Sequence, residues 1–84
     1  MGRKDGGILN IDIEKRIGQN IKALRERAGL TQDLVATKLQ ISGCDMTRSA
    51  VAKIEVGQRH IYPDELLLLK DILGATFEEI FEIT

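Results

Sequence analysis

The feature that most constrains the fold is the spacing of the apolar residues, which recur every three or four positions along much of the chain. In the N-terminal third they are spaced by four, four and three residues: Ile13, Ile17, Ile21 and Leu24. This spacing puts apolar side chains on one face of a helix, because an α-helix completes a turn in about 3.6 residues. It predicts a first helix that begins at Asp12 and ends near Gly29.

Four more segments carry helix start and stop signals. A threonine hydroxyl can cap free backbone N–H groups at a helix start, and glycine can adopt the left-handed conformation that ends a helix. Pro63 precedes two acidic residues, which the positive end of a helix dipole favours. The predicted segments are Thr31 to Gln40, Thr47 to Gly57, Pro63 to Gly74 and Thr76 to Phe81.

Length and composition agree with a small helical protein. The chain has 84 residues, of which 30% are charged and 4% aromatic, and it contains one proline. A chain this short forms one domain with a simple core. We therefore predict an all-α, compact domain of five helices over residues 12–84, preceded by a flexible segment over residues 1–11.

Charge is distributed unevenly along the sequence. Residues 1–60 contain eleven Lys and Arg against seven Asp and Glu, a net charge of +4. Residues 61–84 contain one Lys against six acids, a net charge of −5. A positive half would orient the molecule toward phosphate groups, whereas a negative half could meet a basic partner.

Residue counts disfavour several classes of site. Cys44 is the only cysteine, so the chain can form no internal disulfide, and a reducing, cytoplasmic location is expected. His60 is the only histidine, and we expect no metal site, catalytic group, cofactor or small-molecule substrate. No apolar run has the length of a signal peptide or a membrane span. The sequence thus favours a binding protein over an enzyme.

The third helix has a surface suited to a nucleic acid. Val51 and Ile54 lie three residues apart and would face the core. The opposite face then carries small and basic residues: Arg48, Ser49, Ala50 and Lys53. In the major groove of DNA, guanidinium and ammonium groups read guanine, hydroxyls read several bases and methyl groups touch thymine. A solvated surface helix can have the same composition, so this pattern alone also fits a plain exposed face.

The order of these signals resembles one known family. Thr31-Gln32 opens the second helix, Lys53-Ile54-Glu55 closes the third, and Gly57-Gln58-Arg59 and Pro63 come before a leucine-rich fourth helix. Over about residues 15–81 the arrangement resembles the helix-turn-helix domain of Cro and the phage repressors, the XRE family. The resemblance implies a lambda-repressor-like fold in which the second of two helices enters the major groove.

The resemblance also implies roles for individual residues. Gln32 matches a phosphate anchor at the start of the second helix, and Arg25 and Glu55 match a structural salt bridge between the first and third helices. Residues just inside the third helix match base readers, and those after Gly57 match a loop that clasps the DNA backbone. The set expected at DNA is Gln32, Thr47, Arg48, Ser49, Ala50, Lys53, Gln58 and Arg59.

The connection between the second and third helices departs from the family pattern. A helix-turn-helix usually has a turn of about three or four residues. Here the stretch from Gln40 to Met46 supplies seven. We therefore expect an extended turn that still delivers the third helix to the same place.

The predicted function is sequence-specific DNA binding that regulates transcription. We predict a repressor that occupies a palindromic operator on double-stranded DNA as a homodimer. The two copies would pair through the fifth helix and the tail, or only on DNA. The alternative is an antitoxin-like or adaptor module on the same fold, whose acidic segment from Asp64 to Glu82 binds a basic protein. A steep loss of affinity for duplex DNA with rising salt would favour the DNA-binding regulator over the protein-binding module.

Overall fold

The computed structural model describes residues 6–82, with side chains described from residue 13 onward. Within this range the chain forms five α-helices and no strand: α1 (Gly6–Arg27), α2 (Gln32–Ile41), α3 (Arg48–Glu55), α4 (Pro63–Leu73) and α5 (Phe77–Ile80). α1 packs against α3 and α5, and α2 packs against α3 and α4. The prediction of an all-α, five-helix fold is confirmed.

The helix starts follow the sequence signals from α2 onward. The hydroxyls of Thr31, Thr47 and Thr76 each accept a hydrogen bond from the backbone N–H three residues later, at 3.1 Å. Gly74 ends α4 in the left-handed conformation, with φ of 62°. These caps satisfy backbone groups that a helix end leaves without intrahelical partners.

The start of α1 differs from the prediction. The helix begins at Gly6 and not at Asp12, so the predicted boundary was wrong. Once a helix has nucleated, it extends at low cost, and residues 6–11 contain no proline to stop it. That residues 1–11 are flexible stays a prediction, and residues 1–5 of that segment lie outside the described residues.

The core is built from the apolar faces of all five helices. Most of its members occupy the positions that the helical spacing predicts, and they are less than a tenth exposed. The buried apolar residues are Ile17, Ile21, Leu24, Val35, Ala36, Leu39, Met46, Val51, Ile54, Leu69, Leu73, Ala75 and Ile80. One continuous cluster therefore joins the helix pair α2 and α3 to the rest of the domain.

Glycines permit two close approaches to α1. A Cβ atom built on Gly18 would collide with the backbone carbonyl oxygen of Ile54, so only glycine lets α1 and α3 cross at this distance. Gly57 follows α3 with φ of +79°, and a Cβ atom there would lie 3.1 Å from the Cα of Lys15. Both contacts fix α3 against α1.

The end of the described chain is held against α1 by polar contacts. The side-chain amide of Asn20 donates to the carbonyl oxygens of Ile80 and Glu82, each at 2.8 Å. Arg27 forms a two-point ion pair with Glu79, with N–O distances of 2.6 and 3.3 Å. The short α5 is thereby docked to the first helix.

The aromatic residues of α5 are more exposed than the sequence suggested. The spacing of Phe77, Ile80 and Phe81 predicts a stripe that is mostly core, but only Ile80 is buried, and the two phenylalanines are 38% and 44% exposed. A helix of one turn can direct only one of the three side chains at α1. The phenylalanine rings stack on each other with their centroids 6.5 Å apart. Ile83, the next apolar residue, lies outside the described residues.

The turn between α2 and α3 spans residues 42–47 and is an ordered structure. Met46 is buried in the core, and its carbonyl oxygen accepts a hydrogen bond from the Gln40 side chain at 2.8 Å. The Cys44 N–H donates to the Leu39 carbonyl at 2.9 Å, and Gly43 takes a φ of 91°. The expected long turn is present, with six residues instead of the predicted seven because α2 continues to Ile41, and Met46 anchors it.

No buried polar side-chain atom in the described part of the chain lacks a hydrogen-bond partner. This includes the two buried acids, Glu55 and Glu65. The described helices include none with the length and apolar character needed to cross a membrane.

Candidate nucleic-acid interface

The outward face of α3 presents basic and small side chains. Thr47 caps the helix, and Arg48, Ser49 and Lys53 are all exposed. The inward face buries Val51, together with Ile54 and Glu55 at the C-terminal end. The structure thus places three of the four expected groove-facing residues on the solvent side of this helix.

Ala50 lies at the edge of that face. Its side chain is half-buried and packs against the core, so its role at DNA stays a prediction. Successive residues of a helix are rotated by about 100°, which places Ala52, half-buried like Ala50, and Val56 on the arc between Arg48 and Lys53. Val56 is 55% exposed. Sequence reasoning missed both, although the inward positions of Val51 and Ile54 already fix the arc.

Gln32 lies at the first position of α2, beside the C-terminal end of α3. Its side-chain N–H₂ donates one hydrogen bond to Glu55, at 3.0 Å. A carboxamide has two N–H donors, so this bond uses one of them. The predicted phosphate anchor is therefore held in place by a buried carboxylate while it remains at the surface shared with α3.

Arg25 and Glu55 form a tight ion pair that joins α1 to α3. The Arg25 Nε and Nη2 atoms donate to the two carboxylate oxygens at 2.6 and 3.1 Å, and Nη1 donates to the Leu30 carbonyl at 2.9 Å. The two side chains are 12% and 1% exposed. Hydrogen bonding to Glu55 raises the pKa of Arg25 above its usual value. These contacts fix the orientation of α3 relative to α1 and hold the backbone just before α2 begins.

The loop after α3 places its two predicted residues differently. Gln58 is exposed, and its N–H donates to the Lys53 carbonyl at 2.8 Å. Arg59 instead turns toward α4, where it binds both carboxylate oxygens of Glu65 at 2.9 and 3.0 Å. That hydrogen-bonded pair lowers the pKa of Glu65 and raises the pKa of Arg59. The structure therefore separates Arg59 from the outward face of α3.

An open groove brings the starts of α2 and α3 together. Its lining contains Arg25, Thr31, Gln32, Asp33 and Arg48. Within it, the Arg48 Nε lies 3.8 Å from the Asp33 Oδ1, and the two side chains are 65% and 76% exposed. Sequence reasoning did not single out Asp33 for this surface, because only the tertiary arrangement places it opposite Arg48.

The structure gives no arrangement suited to a metal or a reactive thiol among the residues it describes. No group of three or more His, Cys, Asp or Glu side chains is placed to hold a metal ion in that part of the chain. His60 Nδ1 lies 2.6 Å from the Glu14 carboxylate, which ties the loop before α4 to α1. Burial, followed by nearby carboxylates, raises the pKa of Cys44, which keeps its thiol protonated at neutral pH.

Comparison with known proteins gives a family assignment. The family model described as "Helix-turn-helix domain" matches residues 16–81, which is well over half of the chain. This range contains α2, the long turn and α3, together with most of α1 and all of α4 and α5. No curated protein and no solved structure gave a significant match. The chain belongs to the helix-turn-helix domain family.

Proposed function

We propose that this protein is a sequence-specific DNA-binding regulator of transcription, of the Cro and phage-repressor (XRE) type, in which α3 enters the major groove. The observation that carries the proposal is the outward face of α3, where exposed Arg48 and Lys53 flank small side chains. The start of α2 lies beside this face, because Gln32 lines the same groove as Arg48. Family membership supports the same arrangement.

The first turns of α3 would read base edges. The Arg48 guanidinium matches the O6 and N7 acceptors of guanine, and such a bidentate pair gives about 1–3 kcal/mol of discrimination. Ser49 can bond to several bases, and the Ala52 methyl group fits against a thymine methyl. Ala50 supports this face from the core side, because it is half-buried.

Phosphate contacts would supply most of the affinity. Gln32 has a second N–H donor beyond the one that binds Glu55. The Thr47 oxygen accepts its cap bond from Ala50, so the hydroxyl proton can be donated to phosphate. Lys53 and Gln58 would add phosphate contacts near the C-terminal end of α3. Arg59 takes part through its ion pair with Glu65, which holds the loop that carries Gln58.

Two copies would bind together as a homodimer. One reading helix makes few contacts, whereas two helices about 34 Å apart engage successive major grooves of a palindromic site. The exposed, stacked rings of Phe77 on α5 and Phe81 just after it offer the apolar surface for this pairing. Occupancy of an operator by such a dimer would repress transcription by excluding other proteins.

Selection from a random-sequence duplex library, followed by affinity measurements over a range of salt, tests the proposal. We expect a two-fold symmetric consensus and a steep fall in affinity as salt rises. Arg48→Ala should relax specificity at one position of each half-site, and Gln32→Ala should weaken binding to all sequences. Lys22→Ala, which removes a positive charge from an exposed position of α1 outside the proposed interface, serves as the matched control.

The acidic C-terminal part favours one second candidate, an adaptor or antitoxin-like module that binds a basic protein. Residues 61–84 carry a net charge of −5, and α5 exposes two aromatic rings. This candidate predicts no enriched duplex in the selection. It also predicts that Arg48→Ala and Gln32→Ala leave any residual DNA binding unchanged.

A further inference from the structure

Asp33 puts a negative charge on the surface that we propose to face DNA. It is the second residue of α2, and its side chain is 76% exposed. An acid in the first turn of a helix interacts favourably with the helix dipole, and this accounts for a carboxylate in α2. It does not account for the position opposite Arg48, where the carboxylate would repel the phosphates that such a surface binds.

The Asp33–Arg48 pair contributes little to folding. Its Oδ1–Nε distance is 3.8 Å, which is an ion pair and not a hydrogen bond, and both side chains are mostly exposed. Exposed pairs of this kind typically contribute between nothing and about 1 kcal/mol. Asp33 can therefore influence the orientation of Arg48, and removing its charge should change the free energy of unfolding very little.

The carboxylate restrains the direction in which Arg48 can point. A guanidinium carries five N–H donors in a rigid planar fork. When its Nε side faces Asp33, the Nη groups remain available for a bidentate contact with guanine. The same carboxylate competes with DNA phosphates for Arg48, because both are anions.

We infer that Asp33 is a positioning residue that sets DNA specificity: it holds Arg48 for base reading and weakens the contacts of Arg48 with phosphate. This inference rests on the proposed function and deepens it. Asp33 then lowers the affinity for duplex DNA in general and raises the ratio of specific to non-specific affinity. Discrimination against wrong sequences by a repulsive charge is a recognised route to specificity.

The test compares Asp33→Asn with the unchanged protein on the duplex selected above and on a scrambled duplex of equal length. Asp33→Asn should bind the scrambled duplex about twofold more tightly or better, because one repulsive charge is gone. The specific to non-specific ratio should fall by about two- to fivefold, because an exposed pair worth up to about 1 kcal/mol can bias the direction of Arg48 by no more than that. Thermal unfolding should be nearly unchanged.

A matched control is available on α4. Asp71 is 77% exposed and lies 3.6 Å from the Lys70 Nζ, so Asp71→Asn removes the same charge from an equally exposed carboxylate. It lies outside the proposed interface and should leave the specificity ratio unchanged. Asp33→Glu keeps the charge near Arg48 and should restore most of the ratio.

A double-mutant cycle separates positioning from direct base reading. In an Arg48→Ala background, Asp33→Asn should no longer change the specificity ratio, because the residue through which it acts is absent. An unchanged ratio for Asp33→Asn alone, or an equal loss in both backgrounds, overturns the inference while DNA binding stands. Failure of the unchanged protein to bind any duplex overturns the proposed function instead.

Discussion

Gly18 is the residue on which the crossing of α1 and α3 depends. A Cβ atom on this residue would collide with the backbone carbonyl oxygen of Ile54, which cannot rotate away as a side chain could. Gly18→Ala should therefore destabilise the fold by about 3 kcal/mol, near the upper end for overpacking a core. Urea denaturation measures the difference. Gln19→Ala, an exposed change one residue along α1, should stay within about 0.5 kcal/mol, and similar losses for the two variants would contradict the close crossing.

Arg25 neutralises a carboxylate that has almost no contact with water. Glu55 is 1% exposed at its side chain and accepts from both Arg25 and Gln32. Removing one partner of a buried pair leaves an uncompensated charge, so Arg25→Met should cost about 3–5 kcal/mol. Replacing both residues by methionine should cost much less than the sum of the single changes. Denaturant unfolding of the four proteins in this cycle checks the prediction, and additive losses would show that the two side chains act independently.

At the scale of elements, local signals predict most helices but not how they meet. The threonine caps and the proline start depend on neighbouring residues, so they could be read from the sequence for α2 to α5. The start of α1 could not, because the regular apolar spacing begins only at Ile13 and residues 6–11 contain no proline to mark an earlier start. The role of Gly18 was also hidden, since it depends on a carbonyl group of another helix.

The candidate interface was predictable to a similar extent. The exposure of Arg48, Ser49 and Lys53 follows from the helical spacing, whereas the half-burial of Ala50 depends on how α3 packs. Asp33 could not be found from the sequence, because its relation to α3 is set by how α2 and α3 pack. The same holds for the Arg59 ion pair with α4.

The long turn depends on Met46 as its anchor to the core. A turn has no apolar period, so no pattern predicted that this side chain, which is 1% exposed, would be buried. Met46→Ala should destabilise the protein by about 2–5 kcal/mol, because it removes buried apolar atoms and leaves a cavity. Met46→Leu conserves volume and should cost less than about 1.5 kcal/mol. Urea denaturation of both variants tests this, and a small loss for alanine would show that the turn is held by Gln40 instead.

At the scale of the whole molecule, contacts distant in sequence attach the C-terminal end to α1. Asn20 and Arg27 on α1 bind the backbone and a carboxylate more than fifty residues later. Such contacts lie outside any window of local signals, so α5 could be predicted as a helix but its partner could not. They also keep the acidic end of the chain against the back of the helix that positions α3.

The ion pair between Arg27 and Glu79 should make this attachment sensitive to acid. Hydrogen bonding from Arg27, and then from the Thr76 backbone N–H, lowers the pKa of Glu79 from 4.5 to about 2. Because the folded pKa lies below the unfolded one, the stabilisation is complete above about pH 4.5 and is lost as the pH falls toward 2. Glu79→Gln should therefore be less stable than the unchanged protein at pH 6, and the difference should shrink between pH 4.5 and 2.

Thermal unfolding of both proteins across this pH range measures the difference. Glu78→Gln, an exposed change at the neighbouring position of α5, removes the same charge and should give a curve parallel to that of the unchanged protein. A difference between Glu79→Gln and the unchanged protein that stays constant down to pH 2 would mean that ionisation of Glu79 does not hold α5 in place. In that case the attachment would depend on the neutral contacts, namely the Asn20 amide and the burial of Ile80 against α1.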